Sequence, residues 1–167
     1  MGWSRMGCCF RAARFAALGL FAAAPASAQL LQHKDLSYAL AKTIAESAIE
    51  DCRLRGYAVA AVVVDRAGDT IVAMRADNAA PHTMENARRK AYTARSFRMT
   101  TDEFAKRMAN EPWRRETTTL PSVIAIPGGV PIRVGDDVIG GVAVSGSPGV
   151  DEACVMAGLD KVREQLK

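Results

Sequence analysis

The segment that most restricts how this chain can fold is Pro127–Gly149, PGGVPIRVGDDVIGGVAVSGSPG, which holds seven of the thirteen glycines. Within it, Val138 to Val144 is apolar throughout with recurring β-branched residues, the pattern of a strand covered on both faces. A glycine in a strand gives up side-chain packing. The Gly140-Gly141 pair therefore predicts that a helix, a neighbouring subunit or a flat ligand comes close to the sheet there. Gly135-Asp136-Asp137 supplies a turn and Pro131–Val134 the strand before it, so the segment reads as a hairpin at the centre of a small domain.

The rest of the chain supplies the elements this hairpin needs around it. Leu36, Leu40, Ile44, Ala48 and Cys52 recur at helical spacing, predicting a helix from Leu36 to about Arg55, with Asp35 as N-cap and Gly56 as its stop. Tyr57–Val64 and Thr70–Met74 read as a first hairpin about the turn Asp65–Asp69. Thr83–Phe97 reads as a helix with Met84, Ala87, Ala91 and Ala94 on one face, and Thr100 or Thr101 caps a short helix to about Met108. Asn110–Pro121 lacks periodicity and reads as a long loop. Val123–Ile126 is expected to open the second half of the sheet, and a helix from about Val150 to Leu166 closes the domain. The order α-β-β-α-α-β-β-β-α, with strands joined by hairpins, indicates an α+β domain with an antiparallel sheet covered by helices.

Residues 1–28 read as a secretory signal peptide: Arg5, Arg11 and Arg14, an apolar core from Phe15 to Ala24, then an A-x-A cleavage site at Ala26-Ser27-Ala28. The core is about half the length that a membrane span needs, so no membrane insertion of the mature chain is expected. A single domain over residues 29–167 remains, periplasmic or secreted. The leader carries three of the 22 basic residues and none of the 18 acidic ones, so the mature chain stands at +1. That near-neutrality argues against nucleic acid and anionic membrane as partners. Cys52 and Cys154 survive cleavage. They could pair in an oxidising compartment, but both fall on apolar helix stripes, which favours two buried thiols.

Catalytic motifs are sparse. HExxH, CxxC, a nucleophile elbow and a phosphate-binding glycine loop are all missing, and the glycine pairs do not match a dinucleotide fingerprint. His82, after Pro81 at a helix start, is the better placed of the two histidines and could serve as an axial ligand to haem iron, with Arg88, Arg89 or Arg95 on propionates and Tyr92 stacking on the macrocycle. His33 and Met74 are weaker ligand candidates; Met74 and Tyr92 read more simply as core. Arg88-Arg89-Lys90 reads first as a solvated helix face and second as an anion clamp for a carboxylate. Thr117–Thr119 beside Trp113 offers hydroxyls and an apolar wall, and an enzyme built on that loop would take Glu116 or Asp69 as its base.

Three blocks carry a family resemblance: DRAGDTIVAMRADNA at Asp65–Ala79, ARRKAYTARSF at Ala87–Phe97 and GGVPIRVGDDVIGGVAVSG at Gly128–Gly146. Together they resemble the GlcG/HbpS family, which includes the PduO C-terminal domain, across almost all of the mature chain. The resemblance implies a profilin-like three-layer α/β/α fold with a five-stranded antiparallel sheet, and assembly into homo-oligomers. It also implies haem as cofactor, with His82 as metal ligand and Arg88, Arg89, Tyr92 and Arg95 about it, in haem or iron handling or redox sensing. A membrane sensor or a periplasmic oxidoreductase is the implied partner. The alternative is an accessory or sensor module without haem, binding a small carboxylate or docking on such a receptor.

Overall fold

The two runs richest in small and β-branched residues lie side by side in the middle of the molecule. In a computed structural model that describes Met1 and residues 29–167, β1 (Ala60–Val64) and β4 (Asp137–Ser145) pair antiparallel, with β2 (Thr70–Arg75) and β3 (Gly129–Val134) outside them, in the order β2-β1-β4-β3. The expected signal peptide, Met1 aside, lies outside the described residues, and His33–Lys167 forms one compact unit. β1 is buried along its whole length and β4 at all but its first residue, as their uninterrupted apolar character predicts.

Helices cover both faces. On one, α1 (Tyr38–Leu54) and α4 (Asp151–Lys161) bury Ile44, Ala48 and Val155 against Ala61, Val63, Val142 and Val144. On the other, α2 (Thr83–Phe97) lays Ala87 and Ala91 on Ala60, Val62, Val64 and Ala143, and α3 (Thr101–Asn110) continues beside it. The alternation of β1 between the two clusters is the period of two expected of a strand. The layering is the α/β/α arrangement implied by the resemblance.

Several expectations are corrected. The sheet has four strands among the described residues, not five: Val123–Ile126 runs beside α2, where the Ile124 amide donates to Thr93 Oγ1 (2.9 Å) and the Val123 carbonyl accepts from Arg89 (2.6 Å). Helix side chains thus satisfy backbone groups that a strand ladder would have taken. The N-cap of α1 is Ser37, whose hydroxyl accepts from the Leu40 amide, while Asp35 reaches across to Arg66. The stretch read as a loop is largely a 3₁₀ helix over Pro112–Thr119. Cys52 and Cys154 are a disulfide joining α1 to α4 rather than two thiols. The stripes that bury them are the ones that bring these helices together: a Cβ at Gly158 would lie 2.5 Å from the Ile44 carbonyl oxygen.

The glycine pair has its explanation in α2. A Cβ on Gly141 would lie 2.3 Å from the Ala91 carbonyl oxygen, and one on Gly129 2.6 Å from that of Lys90. Of the three neighbours the sequence allowed, the helix occupies this place, so neither a flat ligand nor a second subunit rests on the sheet here.

Candidate functional site

Antiparallel pairing brings the start of β1, the end of β2, the start of β3 and the end of β4 to one end of the sheet, and the first turns of α2, α3 and α4 begin at that same end. Between them lies a cavity of about 750 Å³, within the range of small-molecule sites. Ala58, Ala80, Ile126, Pro127 and Pro148 give it apolar walls. Its polar side comes from α2, where His82, Asn86 and Lys90 stand four residues apart and line the cavity from mouth to floor. His82 is exposed and makes no side-chain capping bond.

Lys90 is the centre of the floor. It is 1% exposed, and its ammonium donates to Asp151 Oδ2 at 2.7 Å and to the Val144 carbonyl at 3.1 Å. Asp151 Oδ1 in turn accepts from the Ser147 amide (2.8 Å) and hydroxyl (2.7 Å). A buried ion pair of this kind is stable only when its remaining hydrogen-bonding capacity is met, and Ser147 meets it on the carboxylate side. Ser147 Oγ also lies 3.2 Å from Cys52 Sγ, so contacts run from the disulfide through Ser147 and Asp151 to Lys90. Asp102 and Glu152 add carboxylates to the wall, and burial, followed by the charges of Asp102 and Glu103, holds the Glu152 carboxyl above the usual carboxylate range.

Of the residues read from the sequence as ligand-holding, only His82 lines this cavity. Arg88 is held by Glu85 (2.8 Å) and Ser122 (3.1 Å), and Arg89 by the Val123 carbonyl. Arg95 packs against Gly141 with its Nε buried and without a hydrogen-bond partner, and burial, then Arg98 and Arg66, lower its pKa. Tyr92 packs under Gly68 and against the Phe104, Met108 and Val123 cluster, as core. The expected gathering of one histidine and three arginines about one ligand is thus not assembled, because these residues leave α2 on different sides. Met74 packs into the cluster beneath α1 and α4, on the opposite face from α2. Thr118 and Thr119 turn their hydroxyls back onto Arg115 and Glu116, and Trp113 is exposed with Arg114 stacked 4.1 Å from its ring centre. A second, more open groove lies along β3 by Arg98, Arg107 and Arg133, where Arg133 bonds the Arg98 carbonyl and Arg107 bonds Glu111.

Sequence reasoning missed Lys90 and Asp151. Lys90 was grouped with its two arginines as a solvated run, yet it stands three residues after Ala87 and four before Ala94, inside the apolar stripe. That spacing was the available signal. Nothing local to Asp151 distinguishes it from an ordinary first-turn acid.

By architecture and cavity this is an α/β/α domain with a ligand-sized chamber at one end of its sheet. It belongs to the HbpS-like family: the model of "Haem degrading protein HbpS-like" matches residues 36–160. Protein GlcG of Escherichia coli K12 is 31% identical over 110 residues, covering 66% of this chain and 81% of GlcG. The crystal structure of HbpS superposes with a TM-score of 0.76 at 34% identity, covering 80% of this chain and 94% of HbpS. A PduOC–haem complex shares the fold, with a TM-score of 0.69 at 23% identity over 76% of this chain and 94% of that one.

Proposed function

We propose that this protein is an exported haem-handling member of its family, taking haem in the cavity at the sheet end with His82 as the iron ligand. The observation that carries this reading is an exposed imidazole, free of any capping bond, at the mouth of an apolar-walled chamber in an HbpS-like chain. The residues fit the group in two respects. An imidazole supplies a standard axial ligand, and apolar walls exclude water from the iron. They differ from the sequence expectation in a third, since Arg88, Arg89 and Arg95 face elsewhere and Lys90 is already paired; the propionates have their place at the open mouth, in water. Bound haem would supply an iron centre for redox or degradative chemistry. The chain's own part is to hold it by His82 and to keep the chamber dry.

Export is supported by the leader-like residues 1–28 and by the Cys52–Cys154 disulfide, a bond that persists in oxidising compartments. We also propose homo-oligomeric assembly and contact with a membrane sensor or a periplasmic oxidoreductase, on the family resemblance. Titration of the mature protein with hemin tests the central reading. A saturable Soret shift is expected, lost in His82→Ala and retained in Arg88→Ala and Arg89→Ala. No shift in the parent protein removes haem from the account, and an unaltered shift in His82→Ala removes the ligand assignment.

A further inference from the structure

The floor of the cavity has a chemistry that the haem reading does not use. An ammonium has three donors, and Lys90 spends two of them, on Asp151 and Val144. The third has no acceptor among the described residues. Space for one is present: a Cβ on Gly128, which also lines the cavity, would lie 3.1 Å from Lys90 Nζ, so any larger residue there would fill the approach to the ammonium. Gly128 has φ +116°, a conformation that favours glycine, so the backbone itself holds this approach open. One turn nearer the mouth, the Asn86 amide makes no side-chain hydrogen bond within the chain and faces the same space.

What could occupy it is limited by charge. Lys90 is balanced by Asp151, and the remaining ionised groups on the wall, Asp102 and Glu152, are both acidic. The raised pKa of Glu152, partly the work of Asp102 and Glu103, reports a wall that resists further negative charge. A carboxylate brought to Lys90 would sit beside Asp151 with no counter-charge left for it, in a site where an uncompensated charge is costly. An alkylammonium would meet the Lys90 charge at the floor. A neutral acceptor meets neither objection.

We infer that the inner end of this cavity is a recognition site for a neutral carbonyl group (a ketone, aldehyde, lactam or amide), whose oxygen accepts the third N–H of Lys90, with the Asn86 amide as a second contact. The site needs no haem, and its test is run without it. Three probes of one skeleton separate the possibilities: cyclohexanone, cyclohexanecarboxylate and cyclohexylammonium, each titrated into isotopically labelled mature protein and followed by NMR. The ketone is expected to shift the Lys90, Gly128 and Ser145 resonances at concentrations at least about tenfold lower than either ion. Equal or stronger binding of the carboxylate or the ammonium overturns the inference. Lys90→Met alone leaves Asp151 buried without its partner and is at risk of not folding. The control is therefore Lys90→Met with Asp151→Asn, which removes both charges and keeps an acceptor for the Ser147 amide. That variant, folded by its own spectrum, is expected to lose the ketone's effect at the floor; an undiminished response overturns the inference equally. Because hemin binding is read separately through His82, failure of one test leaves the other standing.

Discussion

The two faces of this sheet are built on different plans. Beneath α1 and α4 the core is large and made of branched aliphatics from both helices and all four strands, and a covalent bond ties the helices together. Beneath α2 the cluster is small, with alanines from the helix meeting alanines and valines of the two central strands. There the helix comes so close that its carbonyl oxygens rest over Gly129 and Gly141. Bulk burial holds the first face, while contact at close range and a buried ion pair hold the second. The cavity opens on the second face, where a helix with few large side chains leaves room at its first turns. A domain of this size can keep a ligand chamber on one side of its sheet because the other side supplies most of the stability.

The largest effect expected of this contrast is on the disulfide. Its two cysteines stand 102 residues apart, and in the chain-entropy model a loop of that size is worth about 4.7 kcal/mol. Replacing both with alanine is expected to lower the urea unfolding free energy by roughly that amount, with the denaturant slope altered because the unfolded chain expands. A loss below about 1 kcal/mol would show that burial alone holds α1 to α4, and would break the contrast drawn here.

The second face is probed by Gly141→Ala. With the new Cβ 2.3 Å from the Ala91 carbonyl oxygen, α2 must lift from β4, a change that overpacking costs place at about 1–3 kcal/mol. Because α2 also carries His82, Asn86 and Lys90, the same variant is expected to perturb the cavity's NMR resonances, whereas the disulfide variant reaches them only through Ser147 and Asp151. Full stability in Gly141→Ala would mean that α2 rests on the sheet less tightly than its glycines suggest.

How much of this was legible beforehand follows the same division. The central strands, the hairpin and the alanine stripe of α2 were readable because burial on both faces and helical spacing leave periodic traces. The approach of some partner to Gly140-Gly141 was readable too, but not that the partner was α2, since a glycine records closeness and not identity. Val123–Ile126 looked like a strand because its apolar residues are indeed inward; what kept it from the sheet was a pair of hydrogen bonds from Thr93 and Arg89, some thirty residues away in sequence. At the site, His82 was found by its place at a helix start. Lys90 was hidden among arginines of the same charge, and Asp151 by the distance in sequence from the lysine that gives it meaning.

The smallest effect, and the one that sharpens the electrical side of the comparison, belongs to Glu152. Its carboxyl is held above the ordinary carboxylate range, first by burial and then by Asp102 and Glu103. Such a group binds its proton more tightly in the folded than in the unfolded chain. Stability therefore falls as pH rises from the unfolded value, about 4.3, through the folded one, and stays lower above it. Glu152→Gln removes that penalty, so the variant is expected to melt slightly higher than the parent near neutral pH, with the difference vanishing below about pH 4. The side chain is partly open to water, which screens the effect and ranks it beneath the other two. If the variant gains nothing at neutral pH, or gains as much in acid as at neutrality, the wall beside α4 does not resist negative charge, and the case that the chamber prefers a neutral carbonyl over a carboxylate loses its electrostatic support.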